Sequence, residues 1–438
     1  MPTVHIAPVP GMRGSLRVPS DKSLTHRALM LAGVSDRVVR IEDALDSADT
    51  AATAAAVAAC GVPMEGDLGR GAIVVSGRGL RGLRPPAAID CMNAGTLMRL
   101  LPGLLVGQGP GRVVLDGDES LRLRPMARIA APLAAMGAPI STAPGGTPPV
   151  VVEGGAALRA MEHRLSVASA QVKSCILLAG LFADGETWVS EPVPSRDHTE
   201  RLLEAAGVAV LRASGAVGVR GPATGLSLPD VRIPADISSA APHLVAAALL
   251  ADPEVRLTGV NLNPGRTGLL GVMERMGAAV RIEPADDVAG EPCGTIVVTR
   301  AERLTGTEVA PEEVPSMIDE LPLVALLGAM AHGATTVRGA QELRVKESDR
   351  IATVVGALRA LGVRADERED GFTVHGEGRI AGGAMASGGD HRLSMFGAVA
   401  GLLSTDGVSV RDFEAVAVSY PGFAADLASL GAVAPPAA

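Results

Sequence analysis

The chain has 438 residues, of which 47% are hydrophobic and 20% are charged, and its formal net charge is −9 at pH 7. This length favours two domains, and the composition is typical of a globular protein rather than a disordered one. The acidic balance argues against general binding of nucleic acid or of an anionic membrane surface, so an anion site needs a local group of basic residues.

The sequence predicts neither a membrane span nor a secreted protein. The apolar runs are shorter than the roughly 18 residues that cross a bilayer, and the N-terminus lacks the pattern of a secretory signal. The four cysteines lie far apart and form no C-x-x-C pair, which favours free thiols over disulfides or a metal site. We therefore expect a cytoplasmic protein.

One pattern recurs six times: a polar turn, an apolar helix, a short strand and a loop, and then a second helix that ends at small residues. A hairpin-like pair of strands follows the second helix in the first five units. We expect two N-terminal strands, VHIAPV and GSLRVP, to complete the sixth unit. The first helices are predicted to start, in turn, at Asp21 to Ser23, Asn93 to Thr96, Ser169 to Gln171, Asp236, Asp319 to Glu320 and Asp390 to Arg392.

A longer repeat divides the chain into two halves. LRVPSDKS at Leu16–Ser23 matches VRIPADIS at Val231–Ser238 in its arginine, proline, aspartate and serine. The match predicts one domain from residues 20–233 and a second from residues 1–19 plus 234–438, closed by the N-terminal strands. An α/β chain rich in alanine and glycine can look repetitive without being duplicated, and the shared octapeptide favours true duplication.

Polar and basic residues stand where these helices start. A helix N-terminus carries unpaired N–H groups and a partial positive charge, so it favours anions. Of the 39 basic residues three are lysines, and two of these, Lys22 and Lys346, stand near such starts. Lys346 and Arg350 of RVKESDR are predicted to share a helix face with Glu347 adjacent. The competing interpretations are a solvated first-turn lysine at Lys22 and an exposed salt-bridge surface at RVKESDR.

Eight motifs occur in order along the chain: PSDKSLTHRA, MNAGTLMR, LRPM, ASAQVKS, SRDHTE, IDELP, RVKESDR and GGDHR. Together they resemble the 5-enolpyruvylshikimate-3-phosphate synthase family. The resemblance implies a mixed α/β fold of two domains, each with three βαβαββ units in an inverse α/β-barrel-like arrangement, joined by two chain crossings. It implies a monomeric enzyme that needs no cofactor or metal and has no nucleic-acid or membrane partner.

The implied reaction transfers the enolpyruvyl group of phosphoenolpyruvate to the 5-hydroxyl of shikimate 3-phosphate, through a tetrahedral intermediate, and releases phosphate. By resemblance, the catalytic residues are Asp319, Lys346, Glu347 and Lys22. Those that bind shikimate 3-phosphate are Lys22, Ser23, Arg27, Ser169, Ala170, Gln171, Arg196, Asp319, Glu342 and Lys346. Those that bind phosphoenolpyruvate are Lys22, Asn93, Gly95, Arg124, Gln171, Arg350 and Arg392. The inhibitor glyphosate is implied to occupy the phosphoenolpyruvate site.

The chain departs from the family pattern at some positions. Val418 stands where some members carry a lysine that contacts phosphoenolpyruvate, and Glu342 stands where some use an asparagine. Lys173 has no role in the pattern, and two residues past Gln171 it is predicted to point away from that side chain.

Two alternatives belong to the same fold. UDP-N-acetylglucosamine enolpyruvyl transferases have asparagine where Ser23 stands and a catalytic cysteine in the loop that reads GDESLRLRP in this chain. A non-catalytic protein would be expected to lose Asp319, Lys346 and Glu347, which are all present. A third alternative, an RNA-end-processing enzyme on a related architecture, is disfavoured by the acidic charge and by the scarcity of aromatic residues.

Overall fold

The structure is a computed structural model that describes residues 3–431. These residues form two compact units. The central unit consists of Ser20–Pro234 and Asp287–Glu291, and the terminal unit consists of the described residues up to Pro19, Ala235–Asp286 and those from Pro292 onward. Within residues 3–431, no helix combines the length and the apolar character that a bilayer span requires.

The short segment Asp287–Glu291 differs from the division expected from the sequence, which places it with residues 234–438. In the structure it belongs to the central unit. Arg201 Nη1 donates a hydrogen bond to Gly290 O at 2.6 Å, and His198 Nδ1 lies 2.7 Å from Glu291 Oε1. These contacts hold the segment to the helix that contains His198 and Arg201. They join residues about 90 positions apart, so no local sequence pattern predicts them.

The helices include the first and second helices that the sequence predicts in each of the six repeats. In chain order they are α1 (Lys22–Gly33), α2 (Ala48–Ala59), α3 (Gly95–Leu105), α4 (Ala127–Ala135), α5 (Ala170–Gly180), α6 (His198–Ala205), α7 (Ile237–Leu250), α8 (Gly268–Arg275), α9 (Leu321–Met330), α10 (Arg350–Ala360), α11 (His391–Leu403) and α12 (Phe423–Ser429). Short 3₁₀ turns lie at Leu121–Leu123, Val314–Ser316, Gln341–Val345 and Phe413–Val418.

The strands are short and alternate with the helices. In chain order they are β1 (Thr3–Ile6), β2 (Met12–Leu16), β3 (Val38–Glu42), β4 (Met64–Asp67), β5 (Arg70–Ser76), β6 (Ala88–Asp90), β7 (Gly111–Asp116), β8 (Ile140–Ser141), β9 (Val150–Gly154), β10 (Glu162–Arg164), β11 (Gly185–Ser190), β12 (Val210–Ala213), β13 (Ala216–Gly221), β14 (Val231–Arg232), β15 (Ala251–Asn261), β16 (Ala279–Val288), β17 (Glu291–Thr299), β18 (Glu308–Val309), β19 (His332–Val337), β20 (Arg364–Arg368), β21 (Gly371–Glu377), β22 (Gly383–Ala386) and β23 (Val408–Arg411).

Four sheets in the described part of the chain share one topology. Each has a parallel pair of strands followed by two antiparallel partners. Their strand orders are β14-β3-β5-β4, β6-β7-β9-β8, β10-β11-β13-β12 and β18-β19-β21-β20. A fifth sheet has the order β16-β17-β15-β2, and a three-stranded sheet has the order β1-β23-β22.

The two N-terminal strands join different sheets. β1 pairs antiparallel with β23, as the prediction that it completes the last unit requires, but β2 pairs parallel with β15. The prediction that GSLRVP also closes the last unit is therefore wrong. Asp236 N donates to Pro19 O at 2.8 Å, and this bond keeps the segment after β2 beside the start of α7 and hence near β15.

The two matched octapeptides make equivalent hydrogen bonds. Asp21 N donates to Pro234 O at 2.8 Å in the central unit, just as Asp236 N donates to Pro19 O in the terminal unit. Asp21 and Asp236 also cap α1 and α7 with their side chains. The repeated sequence thus encodes one local structure twice, because aspartate in an extended conformation before a helix accepts the unpaired N–H groups of the first turn.

Each unit has its own hydrophobic core. In the central unit α1, α3 and α5 contribute the fully buried Leu29, Leu101 and Leu177. In the terminal unit α7 and α9 contribute Leu244 and Leu326. The cores fix the directions of these helices, so the residues at their N-termini are displayed from rigid elements.

Candidate active site

The first turn of α1 presents Lys22 and Ser23. Asp21 caps this helix by accepting a hydrogen bond from Leu24 N at 2.9 Å. Lys22 Nζ lies 2.9 Å from Asp49 Oδ2, and the lysine side chain is 24% exposed. A lysine near the positive end of a helix needs an anion nearby, and Asp49 supplies one that the sequence analysis missed. Lys22 is thus a partly accessible, ion-paired lysine rather than a fully solvated one.

Arg27 is buried one turn further along α1. Its Nε donates to Thr199 Oγ1 at 2.7 Å, its Nη2 to Ser174 Oγ at 3.1 Å and its Nη1 to Ser23 O at 3.0 Å. Burial lowers the pKa of Arg27 to about 10, against the raising effect of Glu200. The guanidinium remains charged at neutral pH and connects α1 to α5 and α6.

Gly95, the first residue of α3, lies against two guanidinium groups. A Cβ at this position would lie 3.1 Å from Arg124 Nη1 and 3.1 Å from Arg99 Nη1. Arg124 Nη2 in turn donates to Asn93 Oδ1 at 2.7 Å. The N-cap residue Ala94 has no side chain that can accept a hydrogen bond, so the first turn of α3 offers N–H groups beside two positive charges. This combination suits a phosphate or a carboxylate.

The start of α5 is joined to the start of α3. Ser169 caps α5, and Ala170 is its first residue. Gln171 Oε1 accepts from Arg99 Nη1 at 2.9 Å, and its Nε2 donates to Thr96 Oγ1 at 3.1 Å. Arg99 was not among the predicted ligands, and its distance along the chain from Gln171 gives no pattern that could have identified it.

In the terminal unit, three basic residues converge on Asp319. The Oδ1 atom of Asp319 lies 3.3 Å from Lys346 Nζ, 3.3 Å from Arg350 Nη1 and 3.9 Å from Arg392 Nε. The side chain of Lys346 is 31% exposed and that of Asp319 is 13% exposed. A lysine and a carboxylate at this separation can exchange a proton with a substrate that reaches them.

Arg350 is held by carboxylates. Its side chain is 1% exposed, its Nε donates to Asp390 Oδ2 at 2.8 Å and its Nη2 to Glu347 Oε2 at 2.7 Å. Burial alone would lower the pKa of Arg350, but Glu347, Asp390 and Asp319 hold it above its ordinary value. Asp390 also caps α11 by accepting a hydrogen bond from Arg392 N at 2.9 Å, so one carboxylate holds both Arg350 and the start of α11.

The predicted shared helix face of Lys346 and Arg350 is wrong. Lys346 follows the 3₁₀ turn Gln341–Val345 in an extended conformation, and α10 begins only at Arg350. Asp349 caps α10 and accepts from Ala352 N at 3.1 Å, which fixes the start of the helix after Lys346. The two basic side chains still meet at Asp319 because tertiary packing, not helical spacing, brings them there.

The remaining residues that the sequence analysis names lie at or just before helix starts, or on 3₁₀ turns. Arg392 stands in the first turn of α11, and its Nη1 is 3.7 Å from the fully buried Glu320 Oε1. Glu342 is half-buried on the 3₁₀ turn, and Arg196 is half-buried just before α6. Val418 ends the 3₁₀ turn Phe413–Val418.

The helix starts of the central unit and the cluster around Asp319 in the terminal unit are both suited to binding anions. The cluster around Asp319 is also suited to proton transfer. The central unit offers helix starts with lysine, arginine, serine and amide side chains. The terminal unit offers a lysine–aspartate pair with two arginines and Glu347. Residues 6–427 match the family model described as EPSP synthase (3-phosphoshikimate 1-carboxyvinyltransferase). The chain belongs to the EPSP synthase family.

Relatives of known name support the family assignment. The chain is 49% identical over 413 residues to a protein named 3-phosphoshikimate 1-carboxyvinyltransferase from Xanthomonas euvesicatoria pv. vesicatoria, covering 94% of this chain and 93% of that protein. The protein of the same name from Xanthomonas axonopodis pv. citri is 48% identical, with the same coverage.

Solved structures support the fold. The EPSP synthase from Acinetobacter baumannii is 39% identical, has a TM-score of 0.88 and covers 98% of both chains. The enolpyruvyl transferase NikO from Streptomyces tendae, at 20% identity and a TM-score of 0.78, shares the fold over 98% of this chain. These likenesses confirm the predicted mixed α/β fold class.

Proposed function

We propose that this chain transfers the enolpyruvyl group of phosphoenolpyruvate to the 5-hydroxyl of shikimate 3-phosphate and releases phosphate. The observation that carries the proposal is the meeting of Lys346, Arg350 and Arg392 at Asp319 in a chain of the EPSP synthase family. Both substrates carry a phosphate and a carboxylate, which matches a site built from helix starts and guanidinium groups.

Shikimate 3-phosphate is assigned first to residues at the starts of α1, α5 and α6. Ser169 and Ala170 offer the first turn of α5, and Arg196 offers a guanidinium just before α6. Arg27 donates three hydrogen bonds to protein atoms, and a guanidinium has five N–H groups, so two can serve a ligand. The full set is Lys22, Ser23, Arg27, Ser169, Ala170, Gln171, Arg196, Asp319, Glu342 and Lys346.

Phosphoenolpyruvate is assigned to the arginines and to the start of α3. Arg124 and the first turn of α3 at Gly95 suit its phosphate, and Arg392 suits its carboxylate because a guanidinium can donate two parallel hydrogen bonds. Four of the five N–H groups of Arg350 already serve Asp319, Glu347 and Asp390, so Arg350 offers its positive charge and one N–H group. The carboxylates that now hold Arg350 fix its orientation. The full set is Lys22, Asn93, Gly95, Arg124, Gln171, Arg350 and Arg392.

The proton transfers are assigned to the terminal unit. The 5-hydroxyl loses its proton to the Asp319–Lys346 pair as its oxygen bonds to the central carbon of phosphoenolpyruvate, and Glu347 in its protonated form donates that proton to the methylene carbon. The bond from carbon to the phosphate oxygen of the tetrahedral adduct then breaks, and the departing phosphate takes the proton held by the Asp319–Lys346 pair. Glu347 removes a methyl proton, which restores the double bond and its own protonated form. Lys22 contributes positive charge beside the phosphate groups.

Phosphorus NMR of the protein with both substrates tests the proposal. We expect the phosphoenolpyruvate signal to be replaced by that of inorganic phosphate, with a shifted signal from the 3-phosphate of the product. An unchanged spectrum at high protein concentration would overturn the proposal. The monomeric state, the cytoplasmic location and inhibition by glyphosate stay predictions.

A further inference from the structure

Lys173 is the lysine that the proposed reaction does not use. It lies in α5 with 4% of its surface exposed. Its Nζ is 2.9 Å from Glu200 Oε1 and 3.0 Å from Glu191 Oε2, and it donates to Ser195 O at 3.2 Å. An ammonium group has three N–H donors, so these three acceptors use all of them.

Glu191 connects Lys173 to the start of α5 through hydrogen bonds. Its Oε1 accepts from Ser169 N at 2.8 Å and from Ser195 Oγ at 2.7 Å, and its Oε2 accepts from Ser195 N at 3.2 Å. Ser169 caps α5, and Ser195 immediately precedes Arg196. One carboxylate therefore fixes two backbone segments that present proposed ligands of shikimate 3-phosphate.

Glu200 places its ion pair with Lys173 next to Thr199 and Ser174, the hydroxyl partners of Arg27. Glu200 follows Thr199 in α6, and Ser174 follows Lys173 in α5. Thr199 Oγ1 accepts from Arg27 Nε at 2.7 Å and lies 2.7 Å from Ser174 Oγ, which accepts from Arg27 Nη2 at 3.1 Å. The ion pair between α5 and α6 thus stands directly beside the two hydroxyl groups that orient Arg27.

Lys173 remains charged although it is buried. Burial alone would lower the pKa of Lys173, but Glu200 and Glu191 hold it above its ordinary value. The side chains of Glu191 and Glu200 are 6% and 2% exposed. Buried ion pairs are poor sources of stability compared with apolar side chains, which argues that this one serves another purpose.

We propose that Lys173 is a positioning residue for shikimate 3-phosphate, which acts through Glu191 and Glu200 on Ser169, Arg196 and Arg27. The inference rests on the proposed function. A binding group must be held to within about 0.5 Å of its productive position by supporting contacts. Among the described residues, Lys173 is the cation that contacts both Glu191 and Glu200.

The dissociation constant of shikimate 3-phosphate tests the proposal in three variants. Lys173→Met removes the cation but leaves two facing carboxylates, so its folding is checked by its unfolding midpoint. Lys173→Met combined with Glu200→Gln leaves the net charge of the cluster of Lys173, Glu191 and Glu200 unchanged. This double variant is therefore the decisive one. Arg212→Met is the matched control, because Arg212 pairs with Glu204 of α6 at an exposed position.

We expect both Lys173 variants to raise the dissociation constant and the KM for shikimate 3-phosphate about tenfold, with kcat and the KM for phosphoenolpyruvate changed less than about threefold. Arg212→Met should bind like the wild type. A lysine that only stabilised the fold would lower the unfolding midpoint and leave the dissociation constant of the folded protein unchanged, and that result would overturn the proposal.

The two proposals fail in different ways. If the wild type releases no phosphate from phosphoenolpyruvate with shikimate 3-phosphate, the proposed function is wrong. If the wild type is active and the charge-balanced double variant has the wild-type dissociation constant and KM, the positioning role alone is wrong.

Discussion

Lys346 Nζ lies 3.3 Å from Asp319 Oδ1, although 27 residues separate the two along the chain. Lys346 is the most exposed basic residue at this carboxylate, whereas Arg350 is buried and engaged by Asp390. The Asp319 carboxylate can accept a proton, and Lys346 can donate a hydrogen bond to the substrate oxygen as that proton leaves. We therefore propose the pair as the group that deprotonates the substrate hydroxyl.

Replacing Lys346 by methionine should lower kcat by about 10²- to 10⁴-fold, because a positioned proton-transfer group contributes that much. Asp319→Asn should have a similar effect, and the double variant should be little worse, since residues that act as a unit are not additive. Steady-state kinetics at saturating substrate measure these values. Arg338→Met, which removes an exposed partner of Glu308, is the control. A kcat within twofold of the wild type in Lys346→Met would exclude the lysine from the reaction.

Gly95→Ala should weaken binding of phosphoenolpyruvate more than it weakens binding of shikimate 3-phosphate. The added methyl group would lie 3.1 Å from Arg99 Nη1 and Arg124 Nη1, so the flexible ends of both guanidinium groups must move away. We expect a rise of about tenfold in the KM for phosphoenolpyruvate. Gly356→Ala in α10, where an added methyl group meets no atom within 4 Å, is the control. Equal values of KM for Gly95→Ala and the wild type would show that these arginines do not serve phosphoenolpyruvate.

Arg350→Met should destabilise the terminal unit by about 3–5 kcal/mol, because it leaves the buried Asp390 without its cation. The free energy of unfolding by denaturant, followed by circular dichroism, measures the loss. Adding Asp390→Asn should restore part of it, since the amide carries no charge. Arg379→Met, which removes a fully exposed ion pair with Glu377, should change stability by less than about 0.5 kcal/mol. A loss of that small size in Arg350→Met would contradict the account of this network.

The central unit should lose stability in mild acid through His26. This side chain is buried with its Nδ1 2.6 Å from Thr53 Oγ1, and burial lowers its pKa from 6.5 to about 3, against the raising effect of Asp49. As the pH falls below 6.5 the unfolded chain binds a proton at His26 that the folded chain does not, so stability falls until the pH approaches about 3. The loss from this group between pH 7.5 and pH 5 is about 2 kcal/mol.

His26→Asn removes this titration and retains a group that can hydrogen-bond Thr53. Unfolding followed by the fluorescence of Trp188, the one tryptophan in the chain, reports on the central unit. The wild type should lose about 2 kcal/mol more than the variant over this pH range. Equal losses would mean that His26 is not held neutral in the folded protein.

The start of a helix is the feature that the sequence predicts best here. Asp21, Ser169, Asp236 and Asp390 all cap helices, because a short polar side chain before an apolar run accepts hydrogen bonds from the N–H groups of the first turn, which have no partner within the helix. The resemblance to the family implied the list of site residues, and these starts explain why Lys22, Ser23, Ala170 and Gln171 lie in the first turns of their helices.

Contacts across long stretches of chain could not be predicted in this way. The partners of Lys173 lie before and within α6, and those of Arg27 lie in α5 and α6, so neither follows a helical or strand period. Lys346 is extended because it follows a 3₁₀ turn. The charged residues of RVKESDR are compatible with a 3₁₀ turn and with an α-helix, so the sequence could not predict which of the two forms. The pairing of β2 with β15 depends on packing in the terminal unit rather than on the composition of either strand.

The central claim is that shikimate 3-phosphate is the acceptor of the enolpyruvyl group. Phosphate release from phosphoenolpyruvate, measured with shikimate 3-phosphate, with UDP-N-acetylglucosamine and without an acceptor, tests it most directly. The account predicts that phosphate is released only when shikimate 3-phosphate is the acceptor, and that the Lys346→Met variant loses this release. Release only with the sugar nucleotide, or with neither acceptor, would contradict it.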